Sequence, residues 1–143
     1  DTLLGPGKSE IARHREVLTR LRFKPTGVSE GSAFQREMRP QGLCLPSVTM
    51  AARLTMDGDE IVAAKISMGP VGPSPWFAEP AANVLIGGPA SRAQFDLAVA
   101  EALARVTLRT SKYRATQEYR ETMIRTYLPL ILAKAAERAG ASR

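Results

Sequence analysis

The order of periodicities along the chain predicts an α+β fold, an antiparallel sheet of about four strands packed on about three helices. Three observations carry it. Two-residue alternation of apolar and polar side chains is confined to the first half, and helical spacing is confined to the second. A glycine- and proline-rich stretch at 69–75 separates the two. No strand–helix–strand alternation and no internal repeat is present, which argues against a parallel sheet or a solenoid. At 143 residues, 44% hydrophobic and 24% charged, the chain can bury a core without disulfides or metal. It reads as a single domain over 1–143, with a lead-in segment at 1–16, the sheet within 17–76 and the helical layer over 77–143.

Val17, Thr19, Leu21 and Phe23 alternate with Leu18, Arg20, Arg22 and Lys24, which predicts a first strand ending at Pro25. Phe34, Arg36 and Met38 against Gln35, Glu37 and Arg39 predict a second, followed by a turn over Met38-Arg39-Pro40-Gln41-Gly42. The cleanest alternation sets Val48, Met50, Ala52, Leu54 and Met56 on one face and Thr49, Ala51, Arg53 and Thr55 on the other. Asp57-Gly58-Asp59 then turns the chain, and Val62, Ala64, Ile66 and Met68 continue the apolar face in a returning strand.

Beyond the Gly/Pro stretch and Trp76-Phe77, Pro80 to Ile86 predicts a short helix stopped by Gly87-Gly88-Pro89. Ser91 and Gln94 have the spacing of a capping box. Phe95, Ala98, Val99, Ala102, Leu103 and Val106 then form one buried helical stripe. A last helix begins near Thr116 with Tyr119, Met123, Ile124, Tyr127, Leu130 and Ile131 inward. Pro129 lies inside it and removes a hydrogen bond to Arg125, so a kink or break is expected.

Scarce residues exclude whole classes of chemistry. With one cysteine, Cys44, and one histidine, His14, the chain cannot by itself ligate an iron–sulfur cluster or a structural zinc. No intramolecular disulfide can form, and a lone thiol fits a reducing, cytoplasmic setting. His14 sits among Arg13, Arg15 and Glu16, a solvated context, and Cys44 between Leu43 and Leu45 reads as a small buried hydrophobe. Catalytic residues and metal ligands are therefore not expected. No apolar run approaches the length of a membrane span, so no membrane partner is expected either.

Charge is uneven. The net of +6 divides into 8 basic against 5 acidic residues over 1–40, 3 against 5 over 41–100, and 9 against 4 over 101–143. Arg105, Arg109, Lys112, Arg114, Arg120 and Arg125 make a basic group without the aromatic and spacing signatures of nucleic-acid modules. Docking or structural roles outweigh nucleic acid as its explanation. Gly5-Pro6-Gly7-Lys8 lacks the spacing and flanks of a phosphate loop. The start at Asp1, with neither an initiator methionine nor a signal peptide, reads as a chain entered partway through.

In order, Val48–Met68, the segment Gly69-Pro70-Val71-Gly72-Pro73-Ser74-Pro75 and a short helix ending Leu85-Ile86-Gly87 resemble one domain family. It is the C-terminal domain of the FAD-binding (medium) subunits of molybdenum hydroxylases, the family of carbon monoxide, xanthine and aldehyde dehydrogenases. Ser111-Lys112-Tyr113-Arg114-Ala115-Thr116-Gln117-Glu118-Tyr119-Arg120 is similar to that family's S-D-x-R-x-S/T-x-E-Y-R, which opens the last helix. Gly31–Pro46, with Arg36, sits where the family has its basic segment. Lys112 stands in place of the family's aspartate, and Leu43-Cys44-Leu45-Pro46-Ser47 lacks an acid that many members carry near the flavin.

The resemblance implies a supporting role in electron transfer. FAD would belong to the parent subunit, held mainly by N-terminal FAD-binding lobes, with the molybdenum cofactor and [2Fe–2S] clusters on partner subunits. It implies flavin-proximal positions at Leu45 and Ser47, and a structural motif of Gly69, Pro73, Arg114, Tyr119 and Arg120. The alternative is a stand-alone protein-interaction module with basic ends.

Overall fold

The computed structural model describes residues 4–5, 8–9, 11–12, 14–38, 44–72 and 74–141. The elements are β1 (Leu4–Gly5), β2 (Lys8–Ser9), β3 (Glu30–Met38), β4 (Pro46–Asp57), β5 (Glu60–Gly69), β6 (Trp76–Phe77), α1 (Glu79–Asn83), α2 (Arg92–Arg105) and α3 (Gln117–Ala141). β1 and β2 form a small antiparallel pair by themselves. The main sheet is antiparallel in the order β3-β4-β5-β6, and the helices cover one of its faces. Four strands and three helices in an α+β arrangement agree with the sequence reading. The fourth strand, however, is β6.

Residues 16–28 do not form the strand that their alternation predicts. They carry no regular structure, and Val17, Leu21 and Phe23 are 70–87% exposed. Alternation marks a segment able to be half-buried in a sheet, but a strand exists only through pairing. The expected turn at 38–42 lies almost wholly outside the described residues, as does part of the Gly5–Lys8 stretch.

The β4–β5 hairpin is as predicted. Asp57 pairs with Glu60 across a two-residue Gly58-Asp59 loop, and Gly58 takes the positive φ of +60° that such tight loops need. Val48, Met50, Ala52, Leu54 and Met56 all face the core. The return strand differs at one place. A register shift opposite Thr55/Met56 turns Ile61 inward and leaves Val62 exposed. A bulge of this kind reverses the side-chain alternation, and no period-two pattern anticipates it.

α3 lies across β3 and β4, α1 packs on β5, and α2 bridges α1 and α3. At the N-terminus of α2 the Ser91 hydroxyl accepts from the Gln94 N–H at 3.4 Å. The reciprocal half of the capping box is absent, because the Gln94 amide instead donates to the Val84 carbonyl. Phe95, Ala98, Val99 and Ala102 are buried as expected. In α3 the buried stripe is Arg120, Ile124, Leu128, Ile131, Leu132, Ala135 and Ala139, whereas Tyr119 and Leu130, both expected inward, are exposed. The helix is not broken at Pro129, whose ring is itself buried; close packing there offsets the missing hydrogen bond.

Where β3 passes under α3, a Cβ on Gly31 would collide with the Ala135 carbonyl and the Ala139 N–H. Arg138 ties the same crossing by donating to the Ser32 carbonyl at 2.6 Å. At the head of β3, Glu30 accepts from the Gly27 N–H at 2.7 Å and from Arg53 at 3.0 Å. The backbone donor, with Arg53 second among the favourable contacts, holds the Glu30 carboxyl below its ordinary range.

Two outcomes follow. Gly31→Ala costs about 3 kcal/mol through the forced separation of strand and helix, read as a fall in the urea midpoint. The depressed Glu30 titration stabilises the fold above the ordinary carboxylate range, and this is lost as pH falls through and below it. Side-chain NMR titration should show Glu30 protonating at lower pH than an unperturbed glutamate, and Glu30→Gln should make acid unfolding less steep. A Glu30 that titrates normally would refute this.

Candidate functional site

Arg120 is the organising residue of the end of the sheet where β4 begins and β5 finishes. It lies one turn into α3, whose N-terminus is set locally. Thr116 Oγ1 accepts from the Tyr119 N–H, and Thr110 Oγ1 accepts from the Gln117 N–H, each at 3.2 Å. That places the Arg120 guanidinium inward and fully buried. Its Nη1 donates to the Ser47 carbonyl at 2.5 Å and also to the Pro70 carbonyl. One side chain thus joins α3, the start of β4 and the loop after β5. Its Nε and Nη2 are buried and have no hydrogen-bond partner among the described residues. Burial, then the nearby Arg109 and Arg114 charges, lower its pKa from the ordinary arginine value.

The Gly/Pro loop is fastened from a second side. The Arg109 N–H donates to the carbonyl of buried Val71 at 3.2 Å, and Gly72 approaches the Thr107 carbonyl closely enough that an added Cβ would touch it. The loop before α3 closes on itself through Ser111 N–H to Ala115 C=O and Arg114 N–H to Ser111 C=O. Together these segments frame a cleft of about 550 Å³ at the edge of the uncovered sheet face. Phe34, Thr49, Ala51 and Ser67 supply its floor, Gly69, Pro70 and Pro75 one wall, and Arg109 and Arg114 the rim.

Of the residues singled out in the sequence, Ser47, Gly69, Arg114 and Arg120 converge here. Ser47 is buried and is held through its backbone carbonyl. Leu45, two residues earlier, is 48% exposed at the entrance to β4. Tyr119 points elsewhere: its hydroxyl donates to Glu37 on β3 at 3.3 Å, and Glu37 also raises the Tyr127 pKa through its charge and a hydrogen bond. Pro73 lies outside the described residues. Cys44 is half-buried rather than buried, in a left-handed conformation, with its carbonyl accepting from Arg36 at 2.5 Å.

The basic group of the second half does not act as one patch. Arg105 pairs with Glu101 and Arg125 with Glu121 along their own helices, and Lys112 lies over the Tyr113 ring at 5.5 Å. Those two ion pairs were visible as acid-to-arginine spacings of four residues. The association of Arg109 with Arg114 across a loop had no such signal. Arg120→Ala should lower stability by about 3 kcal/mol or more, since it empties a buried volume and strands two carbonyls. Chemical denaturation would measure it, and a loss below about 1 kcal/mol would contradict the anchoring role.

Comparison with known proteins shows which family the sequence and fold resemble. The sequence pattern of the CO dehydrogenase flavoprotein C-terminal domain matches residues 33–135. The carbon monoxide dehydrogenase medium chain of Afipia carboxidovorans is 34% identical over 126 residues, which is 88% of this chain and 42% of that protein. The reconstituted CO dehydrogenase from Oligotropha carboxidovorans superposes with a TM-score of 0.69 at 32% identity, covering 77% of this chain and 38% of that one. Quinoline 2-oxidoreductase from Pseudomonas putida 86 shares the fold, with a TM-score of 0.69 at 24% identity over 80% of this chain and 39% of that one. The chain therefore spans less than half the length of the curated relative it matches.

Proposed function

This chain belongs to the CO dehydrogenase flavoprotein C-terminal domain family, and from that premise we propose that it serves as the C-terminal domain of the FAD-binding medium subunit of a molybdenum-dependent oxidoreductase. The observation that carries the reading is the extent of the family match. It extends over 33–135, from within β3 across the Gly/Pro loop to most of α3. FAD, when bound by the parent subunit, supplies the electron-transfer chemistry, and the protein's share is to position and shield it.

The residues fit that share unequally. Leu45 has an exposed apolar side chain at the mouth of β4, suited to lie against a flavin and exclude water from it. Ser47 cannot offer its buried side chain in the same way. Its part is to hold the strand entrance in place, through the carbonyl that accepts from Arg120. The partners in this reading are the N-terminal FAD-binding lobes and the iron–sulfur and molybdenum subunits. The medium-chain name of the relative, a chain of a larger enzyme, supports it. A cytoplasmic location accords with a chain whose single cysteine allows no internal disulfide. No helix among the described residues is long and apolar enough to cross a membrane.

The test is to isolate the natural polypeptide that contains this chain and record its visible spectrum and subunit composition. Flavin absorbance together with iron–sulfur and molybdenum subunits is expected, and a polypeptide that purifies without flavin would overturn the proposal. In the same holoprotein, Leu45→Asp should lower FAD retention by about tenfold, because a charge replaces an apolar contact. Its thermal midpoint with FAD removed should not change, since Leu45 is not part of the core.

A further inference from the structure

The cleft beside Arg120 has a chemistry that the flavin-supporting role leaves unused. Arg109 and Arg114 both line it, and no carboxylate does. Neither guanidinium has an ion pair or hydrogen-bond partner among the described residues. Their neighbour Arg120 is fully buried, with two donors unpaired. By contrast, Arg105 and Arg125, on the flanking helices, are each matched by a glutamate. Like charges brought together at the edge of a low-dielectric core repel, and an oxyanion between them removes that repulsion. Guanidinium forks match the oxygen spacing of phosphate and bind it with two parallel hydrogen bonds. Thr49 and Ser67 line the same cleft. So does the ring of Phe34, 62% exposed on the uncovered sheet face. A volume of about 550 Å³ falls in the range of small-molecule sites.

We propose that this cleft is a phosphate-binding site, in which Arg109 and Arg114 grip a phosphate group that is either free or carried by a nucleotide whose base lies against Phe34. Arg120 acts behind them as a positioning residue. It fixes the Gly/Pro loop wall and adds positive potential without touching the ligand.

The test is calorimetric titration of the 143-residue chain with inorganic pyrophosphate and, separately, with ADP, at low ionic strength. One saturable site is expected. Arg109→Gln and Arg114→Gln should each weaken it by about tenfold, while Arg125→Gln, whose side chain is engaged with Glu121, leaves it unchanged. Both cleft arginines lie outside the core, so their variants should keep the parent thermal midpoint. ADP binding more tightly than pyrophosphate identifies a nucleotide as the source of the phosphate, and equal affinities identify free phosphate. The proposal fails if no saturable heat is seen, or if Arg114→Gln binds as well as the parent. It also fails if malonate, a dicarboxylate, binds as tightly as pyrophosphate.

Discussion

A single buried guanidinium holds together the parts of this fold that have no regular hydrogen-bond ladder between them. The sheet is built from neighbouring strands, and the helices cover it through apolar contact. Neither arrangement ties the Gly/Pro loop to the start of β4. Arg120 does so by donating to Ser47 and Pro70 from the first turns of α3. Taking a charge out of water is costly, and two of its donors remain unpaired. That cost is tolerable only where removal of the group would strand its acceptors, as it would here. The residue therefore specifies geometry more than it adds net stability. The loop carrying Pro70 is fastened by it, and Arg109 is tied to that loop through Val71.

What the sequence made legible depends on whether a pattern is local. The β4–β5 hairpin was readable because both its alternation and its turn chemistry lie within about twenty residues of one another. The strand expected at 17–24 failed for the complementary reason. Its alternation is genuine, but Val17, Leu21 and Phe23 pair with no strand among the described residues and remain in solvent. β6, only two residues long, owes its existence to pairing with Ser67 and Met68, and its own two side chains carry no period at all. The bulge that exposes Val62 and the crossing that requires Gly31 are likewise products of two elements meeting. In α3, the inward stripe was read about one position off at Leu130, because apolar residues crowd both sides of Leu128 and a helical period alone cannot choose between them.

The site shows the same division. Arg114 and Arg120 were singled out through the resemblance of Ser111–Arg120 to a family motif, and the structure gives the physical reason for Arg120. Arg109 was noticed only as one of six basic residues, and nothing near it in sequence distinguished it from Arg105. The difference is tertiary. Arg105 has Glu101 one turn before it on the same helix, whereas Arg109 follows the end of α2 and donates through its backbone to Val71. Leu45 and Ser47, adjacent in the expectation, part in the structure, since one side chain faces solvent and the other is enclosed.

The layering then constrains where anything can bind. The helical side of the sheet is a closed apolar core, filled by residues such as Met50, Leu54, Leu128 and Leu132, and a ligand could enter it only by displacing them. The other face carries short side chains, Thr49, Ala51 and Ser67, between the exposed rings of Phe34 and Phe77. Where the Gly/Pro segment that Arg120 pins rises beside it, this face deepens into the cleft of about 550 Å³. That wall is held by a buried Val71 and by bonds from two directions.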